Sequence, residues 1–421
     1  MLLIYTHQIT SRVRYTFNLI FKSILGVDFE ITTDIEKFKR HIGTKISYSH
    51  APAGDEIFFN SEELLFEKGI KNTSALPADE FAQAFFLTTR YEEYLPFDHD
   101  KHGRYSAKHS LSYKNNILLK PSVNIFALEI KRKITERYPA FVFPENKYSY
   151  QPTLDIDNAY AYIGKNFGRT MGGYARAILT SDWDDFKKRR NVFSGSGFIG
   201  KEKDPYDTYD LQFELHKKYN LKPIYFFLLG DWAENDKNLP HTHPLMQALI
   251  KNIYGKAEIG IHPSYASNKN SKKVKVEKKR LTEITGKEIK KSRQHFLMLK
   301  FPQTYRNLIS AGITDDYTMG YADELGFRAG ICTPLKWYDL EKEEETILTI
   351  HPFAVMDGTL NNYLKLSPEQ AIEKAKEIVH EIKKVNGEFI SIWHNETLSD
   401  WREWKGWKNV YEKIIKIAVQ G

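Results

Sequence analysis

The chain has 421 residues, more than one hydrophobic core usually serves, and a hydrophobic content of 41% with 14% aromatics is ample for burial. Its 61 basic and 54 acidic residues leave a net charge of +7, a mild and mixed excess that excludes the one-signed basic face of a nucleic-acid-binding domain. A single cysteine, Cys332, excludes an internal disulfide framework, and no run approaches the roughly 18 apolar residues of a membrane span. With no signal-peptide pattern at Met1 to Thr6, the expectation is a cytoplasmic protein in a reducing compartment.

Residues 1–147 read as a smaller α/β domain. Leu2 to Tyr5 has the composition of a strand, Arg12 to Leu25 of an amphipathic helix, and Lys45 to Tyr48 and Glu56 to Phe59 of short strands. Ser61 is placed to cap a helix over Glu62 to Lys68, and Pro77-Ala78-Asp79 to open one running to about Thr89. The polar run from Arg90 to Tyr94 and the His- and Asp-rich loop from Asp98 to Tyr105 lack fixed metal-ligand spacing and read as a structural polar network. Val123 to Tyr138 is helical by its apolar spacing, and Pro139 to Lys147, with two prolines, is the linker candidate.

Residues 148–421 alternate strands with helices, the mark of a parallel sheet. Candidate strands are Gln151 to Ile156, Pro223 to Leu229, Ala257 to Ile261, Glu288 to His295, Ile313 to Thr314, Phe327 to Ile331, Ile347 to Ile350 and Phe389 to Trp393. Seven or eight such repeats predict an α/β fold, a distorted (β/α) barrel, with a doubly wound open sheet as the competitor. The segment Gly164 to Pro205 breaks the rhythm and reads as an insertion after the first barrel strand.

In a parallel barrel, reacting groups sit where strands end. The first candidate strand ends in Asp155 and Asp157, which a period of two places on one face; others deliver His262, Arg293 with His295, and His394. Two histidines and one carboxylate leave an open coordination position, as a catalytic divalent ion requires. Asp155 and Asp157 rise from one face about 6.5 to 7 Å apart, which argues against a metal-free glycosidase pair flanking a scissile bond. His241, His243, His351 and Asp357 read as loop, cap or substrate-loop residues, and Trp401, Trp404 and Trp407 as packing of the terminal helix.

Thr153-Leu154-Asp155, His262-Pro263-Ser264, Arg293-Gln294-His295-Phe296 and the late apolar run ending in His394 together resemble, in order and spacing, the polysaccharide deacetylases, the fourth carbohydrate esterase family. The resemblance covers about residues 150–400. It implies a distorted barrel, a divalent metal, usually zinc, and removal of acetyl groups from N- or O-acetylated sugars, so the expected partner is an acetylated carbohydrate. It further implies Asp155 as catalytic base, Arg293 as the arginine holding it, His262 as a metal ligand, His394 as general acid, and Asp316, or its neighbour Asp315, as the aspartate orienting that acid. Two positions depart from the pattern. Ile156 stands where the family carries a ligand aspartate, and Ala266 where it carries a second histidine. Asp157 and His295 are therefore expected to complete a metal triad with His262. Backbone N–H groups at Gly230-Asp231 or Ser264-Tyr265 are candidate oxyanion donors. The missing histidine motivates an alternative, a degenerate relative that binds a glycan or partner without turnover.

Overall fold

The computed structural model describes residues 1–194 and 202–420. Two units make up the chain: Met1–Tyr150 with Leu297–Lys365 and Lys374–Ser391, and Gln151–Phe296 with Leu366–Glu373 and Ile392–Gly421.

The first unit contains a parallel four-stranded sheet of order β2-β1-β3-β4, formed by β1 (Leu2–Thr6), β2 (Phe29–Thr32), β3 (Lys45–Ser49) and β4 (Ile57–Asn60). The Thr10 hydroxyl accepts from Val13 N at 3.0 Å and starts the helix Ser11–Phe17, which widens into a π-helical stretch over Asn18–Ile24. Asp79 Oδ1 accepts from the backbone of Phe81 and Ala82 and opens the helix Glu80–Thr88. The helix expected over Glu62 to Lys68 is a single turn, Glu63–Leu65. Its first amide, Glu62 N, is taken by Asp79 Oδ2, and the Ser61 hydroxyl expected as cap instead faces His50 Nδ1 at 3.5 Å. Later in this unit, Glu344–Ile350, which contains the expected strand Ile347 to Ile350, pairs antiparallel with Leu335–Asp339, a strand the sequence did not suggest.

The second unit carries the parallel ladder β5 (Ser149–Ile156), β6 (Ile224–Phe227), β7 (Glu258–Ile261) and β8 (Lys291–Ser292), with Asp155 beside Phe226, Phe227 beside Ile261 and Ile261 beside Ser292. Crossover helices Tyr209–Lys218, Pro244–Tyr254 and Lys272–Thr285 connect them, so all four strands end on one side. The insertion holds the helices Phe167–Leu179 and Trp183–Phe193; its residues 195–201 lie outside the described residues.

The fold is thus mixed α/β with parallel sheets, but among the described residues neither sheet closes, and the expected barrel is not formed. Two candidate strands account for part of the difference. Phe327 to Ile331 turns instead of extending, with Gly330 at φ +65° donating to Phe327 O and Arg328 drawn onto the buried Glu93 carboxylate. Of Glu288 to His295 only Lys291–Ser292 is a strand. Among the described residues no helix is long and apolar enough to cross a membrane.

Candidate metal centre

Strand β5 presents Leu154 and Ile156, both fully buried, to the core, and its alternation turns Asp155 the other way. Asp157 follows one residue past the strand end. Arg293, just past β8, is fully buried, and its Nη1 donates to Asp155 Oδ1 at 2.8 Å. The guanidinium lies 4.6 Å from the centroid of Phe226, the register neighbour of Asp155. Position 260 must be glycine for this stacking, because a Cβ there would stand 2.5 Å from the Phe226 ring and 2.8 Å from Lys291 O.

The loops after β5, β7 and β8 bring Asp157, His262 and His295 together, with one ligand atom from each lying within 4.8 Å of the others. Asp157 Oδ1 is 3.2 Å from His262 Nε2, and Asp157 Oδ2 is 3.3 Å from His295 Nε2. Both imidazoles are held from behind. His262 Nδ1 donates to Arg293 O at 2.5 Å, and His295 Nδ1 donates to Asp236 Oδ1 at 2.9 Å. In its neutral form, with the proton on Nδ1, each imidazole turns an Nε2 lone pair to the pocket, the arrangement typical of metal-bound histidine. Asp157 Oδ1 is buried without a hydrogen-bond donor. A buried carboxylate oxygen so placed is costly unless a cation satisfies it. Ligand atoms around a tetrahedral ion at about 2.1 Å stand roughly 3.4 Å apart, close to both spacings. These residues could hold a divalent ion.

The charge balance agrees. Asp155, Asp157 and Asp236 against Arg293 leave two negative charges when the imidazoles are neutral. Burial works against the Asp157 carboxylate, yet His295 and His262 hold it well below the usual carboxylate range. Burial likewise opposes charge on His295, but Asp157 and Asp236 push its pKa up to about 9, so a cation entering the pocket displaces a proton.

Of the residues singled out in the sequence, Asp155, Asp157, His262, Arg293, His295 and His394 meet in this one pocket. Asp155 Oδ2 is 3.8 Å from His262 Nε2, and His394 Nε2, at the end of the strand Glu388–His394, is 3.6 Å from Asp157 Oδ2. Asp316 belongs to the first unit, where its carboxylate accepts from the Thr318 backbone and hydroxyl; Asp315 there accepts from His351 Nε2 at 2.9 Å. Ala266 contributes its backbone N–H, which donates to Asp236 Oδ2 at 3.2 Å.

Sequence reasoning missed Asp236, Asn238 and Glu277. Asp236 also accepts from Tyr265 N at 2.8 Å, so one carboxylate fixes both His295 and the loop after His262. The buried Glu277 holds that loop from the helix side, accepting from Ser264 N at 2.8 Å and Ser264 Oγ at 2.6 Å. The amides of Ser264 and Tyr265, considered above as oxyanion donors, are therefore already spent. Asn238 Nδ2 donates to Ile156 O and Leu228 O and so ties the ends of β5 and β6 together. The only advance signal for Asp236 and Asn238 was their place in an acid-rich loop just past a strand end.

A family of unknown function (DUF7033) matches residues 2–139, about a third of the chain. No curated protein matches the sequence. Among solved structures, the chain is similar to a protein assigned as a polysaccharide deacetylase from Mycobacterium smegmatis, at 13% identity and a TM-score of 0.41 over 66% of this chain and 86% of that one. It is similar to the polysaccharide deacetylase Bc1974 from Bacillus cereus at 12% identity and TM-score 0.30, covering 64% and 86%. A third likeness is to the catalytic domain of a peptidoglycan N-acetylglucosamine deacetylase from Eubacterium rectale, at 13% identity and TM-score 0.31, covering 65% and 85%. At these values the functional reading rests on the geometry of the site.

Proposed function

We propose that the chain is a metal-dependent hydrolase that removes an acetyl group from an N- or O-acetylated sugar or glycan, with Asp157, His262 and His295 as ligands of a divalent ion, most simply zinc. One observation carries the reading: two imidazoles with their Nδ1 atoms engaged by Arg293 O and Asp236 turn one Nε2 toward each oxygen of Asp157, whose Oδ1 is buried without a hydrogen-bond donor. A divalent ion held there supplies Lewis acidity toward water and an acyl carbonyl oxygen.

The chain's own residues divide the remaining work. Asp155, bordering the ligand set and held by Arg293, takes the proton of the attacking water. His394, with its Nε2 3.6 Å from Asp157 Oδ2, donates a proton to the departing nitrogen or oxygen. The acetyl C–N or C–O bond breaks, acetate leaves, and the sugar amine or hydroxyl is freed. Asp316 enters only through the family resemblance, as the group that orients this acid. Gly230-Asp231 remains the proposed source of an oxyanion N–H.

Elemental analysis of purified protein together with acetate release from acetylated oligosaccharides tests the proposal. About one ion per chain, and hydrolysis lost on chelation and restored by zinc, are expected. Ala266 favours the rival reading, glycan binding without turnover; protein that neither retains metal nor releases acetate when metal is supplied would establish that rival.

A further inference from the structure

Beside the metal centre lies a second feature that the acetyl chemistry does not use. A cavity of about 570 Å³ is lined by Lys165, Asn166, Arg169, Trp232, Asn238 and His243 among others, and none of its described lining residues is acidic. Its wall is built onto the metal centre. Lys165 Nζ donates to Asn158 Oδ1 at 2.5 Å, and Asn158 directly follows Asp157. Asn238 joins the same cavity to the ends of β5 and β6.

The charged side chains that line the cavity are both basic, Lys165 and Arg169. Among the described residues neither Lys165 nor Arg169 has a carboxylate within 4.0 Å, although Asp204 and Glu396 lie near enough to act on Lys165; Arg169 Nη2 donates to the carbonyl of Lys237 at 3.2 Å. Asn166 caps the helix Phe167–Leu179 and His243 caps Pro244–Tyr254, so the positive ends of two helices converge here. His243 Nδ1 accepts from Leu245 N at 3.2 Å, which leaves its proton on Nε2 as a further donor. Burial, with Arg169 close by, pushes Lys165 down to about 7 against the opposing pull of Asp204 and Glu396. Trp232 is 63% exposed, with the Arg169 guanidinium 5.9 Å from its ring centroid. An indole in solvent beside two basic side chains that no carboxylate contacts suits a ligand with an apolar ring face and an anionic substituent.

We infer that Lys165, Arg169, His243 and Trp232 form a subsite for a saccharide unit bearing a carboxylate or phosphate group, so that the glycan processed at this centre is acidic. That the glycan is processed here rests on the deacetylase reading; the subsite itself stands on the cavity.

Calorimetric titration of the metal-loaded 421-residue chain tests it with three probes: a trigalacturonate, glucose 6-phosphate and neutral cellotriose. At least one acidic probe is expected to bind at least about tenfold more tightly than cellotriose, and the stronger of the two identifies the anion. The double variant Lys165→Met/Arg169→Met is expected to weaken that probe about tenfold or more, and Trp232→Ala, at an exposed position outside the core, to weaken it severalfold. Binding persists after chelation, because the subsite does not use the ion. Equal binding of neutral and acidic probes, no binding of either acidic probe, unchanged binding in both variants, or loss on chelation would each overturn the inference. Metal content and acetate release, measured on the same preparation, report separately on the deacetylase reading.

Discussion

Two buried polar clusters in this protein differ in one respect that separates structure from chemistry. In the first unit, Arg90, Glu92, Glu93 and Arg328 form a closed network, with two cations balanced by two anions. Glu93 receives Arg90 Nε at 2.7 Å and Arg328 Nε at 2.9 Å, Arg90 also donates to Tyr321 Oη at 3.0 Å, and Glu92 accepts from Leu111 N at 2.8 Å. No side-chain polar atom of these four residues is buried without a partner. In the second unit, the Asp157 pocket has an excess of negative charge, two imidazole Nε2 atoms turned inward and an oxygen with no donor. Burying charge is tolerable when every group is paired, so the first cluster needs nothing more. The second is unfinished in the way a cation would finish.

If that contrast is right, mutations in the two clusters should fail different assays. The largest effect is expected at Asp157. Asp157→Ala should abolish stoichiometric metal in elemental analysis and reduce acetate release by about a thousandfold or more, while the thermal midpoint of chelated protein changes little. Metal retained by this variant would break the comparison. Asp155→Asn should instead keep the metal and lose activity by roughly a hundredfold to ten-thousandfold, since it removes a proton acceptor and not a ligand.

Next in size is the closed network. Glu93→Gln leaves Arg90 and Arg328 buried with one anion between them, and should cost about 3–5 kcal/mol in denaturant unfolding. Metal content per folded chain should stay unchanged. Loss of metal with intact stability would mean the network serves the site.

These two clusters were unequally legible in the sequence. Asp155, Asp157, His262, Arg293, His295 and His394 could be found because a parallel sheet puts its strand ends on one side and because the residue types are those of hydrolytic metal sites. Asp236 could not, since what makes it functional is a hydrogen bond to a histidine 59 residues away. The Arg90 to Tyr94 run was read as a polar network, but its partner Arg328 was placed in a strand. A local apolar pattern at Phe327 to Ile331 gave no hint that a buried carboxylate 235 residues away would pull the arginine into a turn. Closure of the sheet was overestimated for a related reason: counting βα repeats says how many strands exist, and not whether the last meets the first.

A finer test lies behind the ligands. Asp236→Asn keeps the shape but removes the carboxylate that fixes the His295 tautomer, and should weaken metal affinity about 10- to 100-fold in a competition titration against a chromogenic chelator. An unchanged affinity would leave Asp236 as a loop clamp only, through its bonds to Tyr265 and Ala266.

The smallest effect, and the one that separates the clusters without any change at the pocket, is the response to acid. Burial alone would raise the Glu93 carboxyl, but Arg328 and Arg90 hold it below the ordinary carboxylate range. Its folded pKa therefore lies below its unfolded value of about 4.3. Above that value both states are ionised and the stabilisation is complete. As pH falls below it the unfolded chain takes up the proton first, and stability drops by up to about 1.4 kcal/mol per pH unit until the folded carboxyl also protonates. Urea unfolding of wild type and Glu93→Gln across this range should show a shallower slope in the variant. Metal binding, by contrast, needs both imidazoles deprotonated, so protons should displace the ion at higher pH, before the Glu93 network is touched. Metal loss and stability loss running together on one titration curve would mean that the two clusters are one cooperative element, and the division between a closed network and an open pocket would fail.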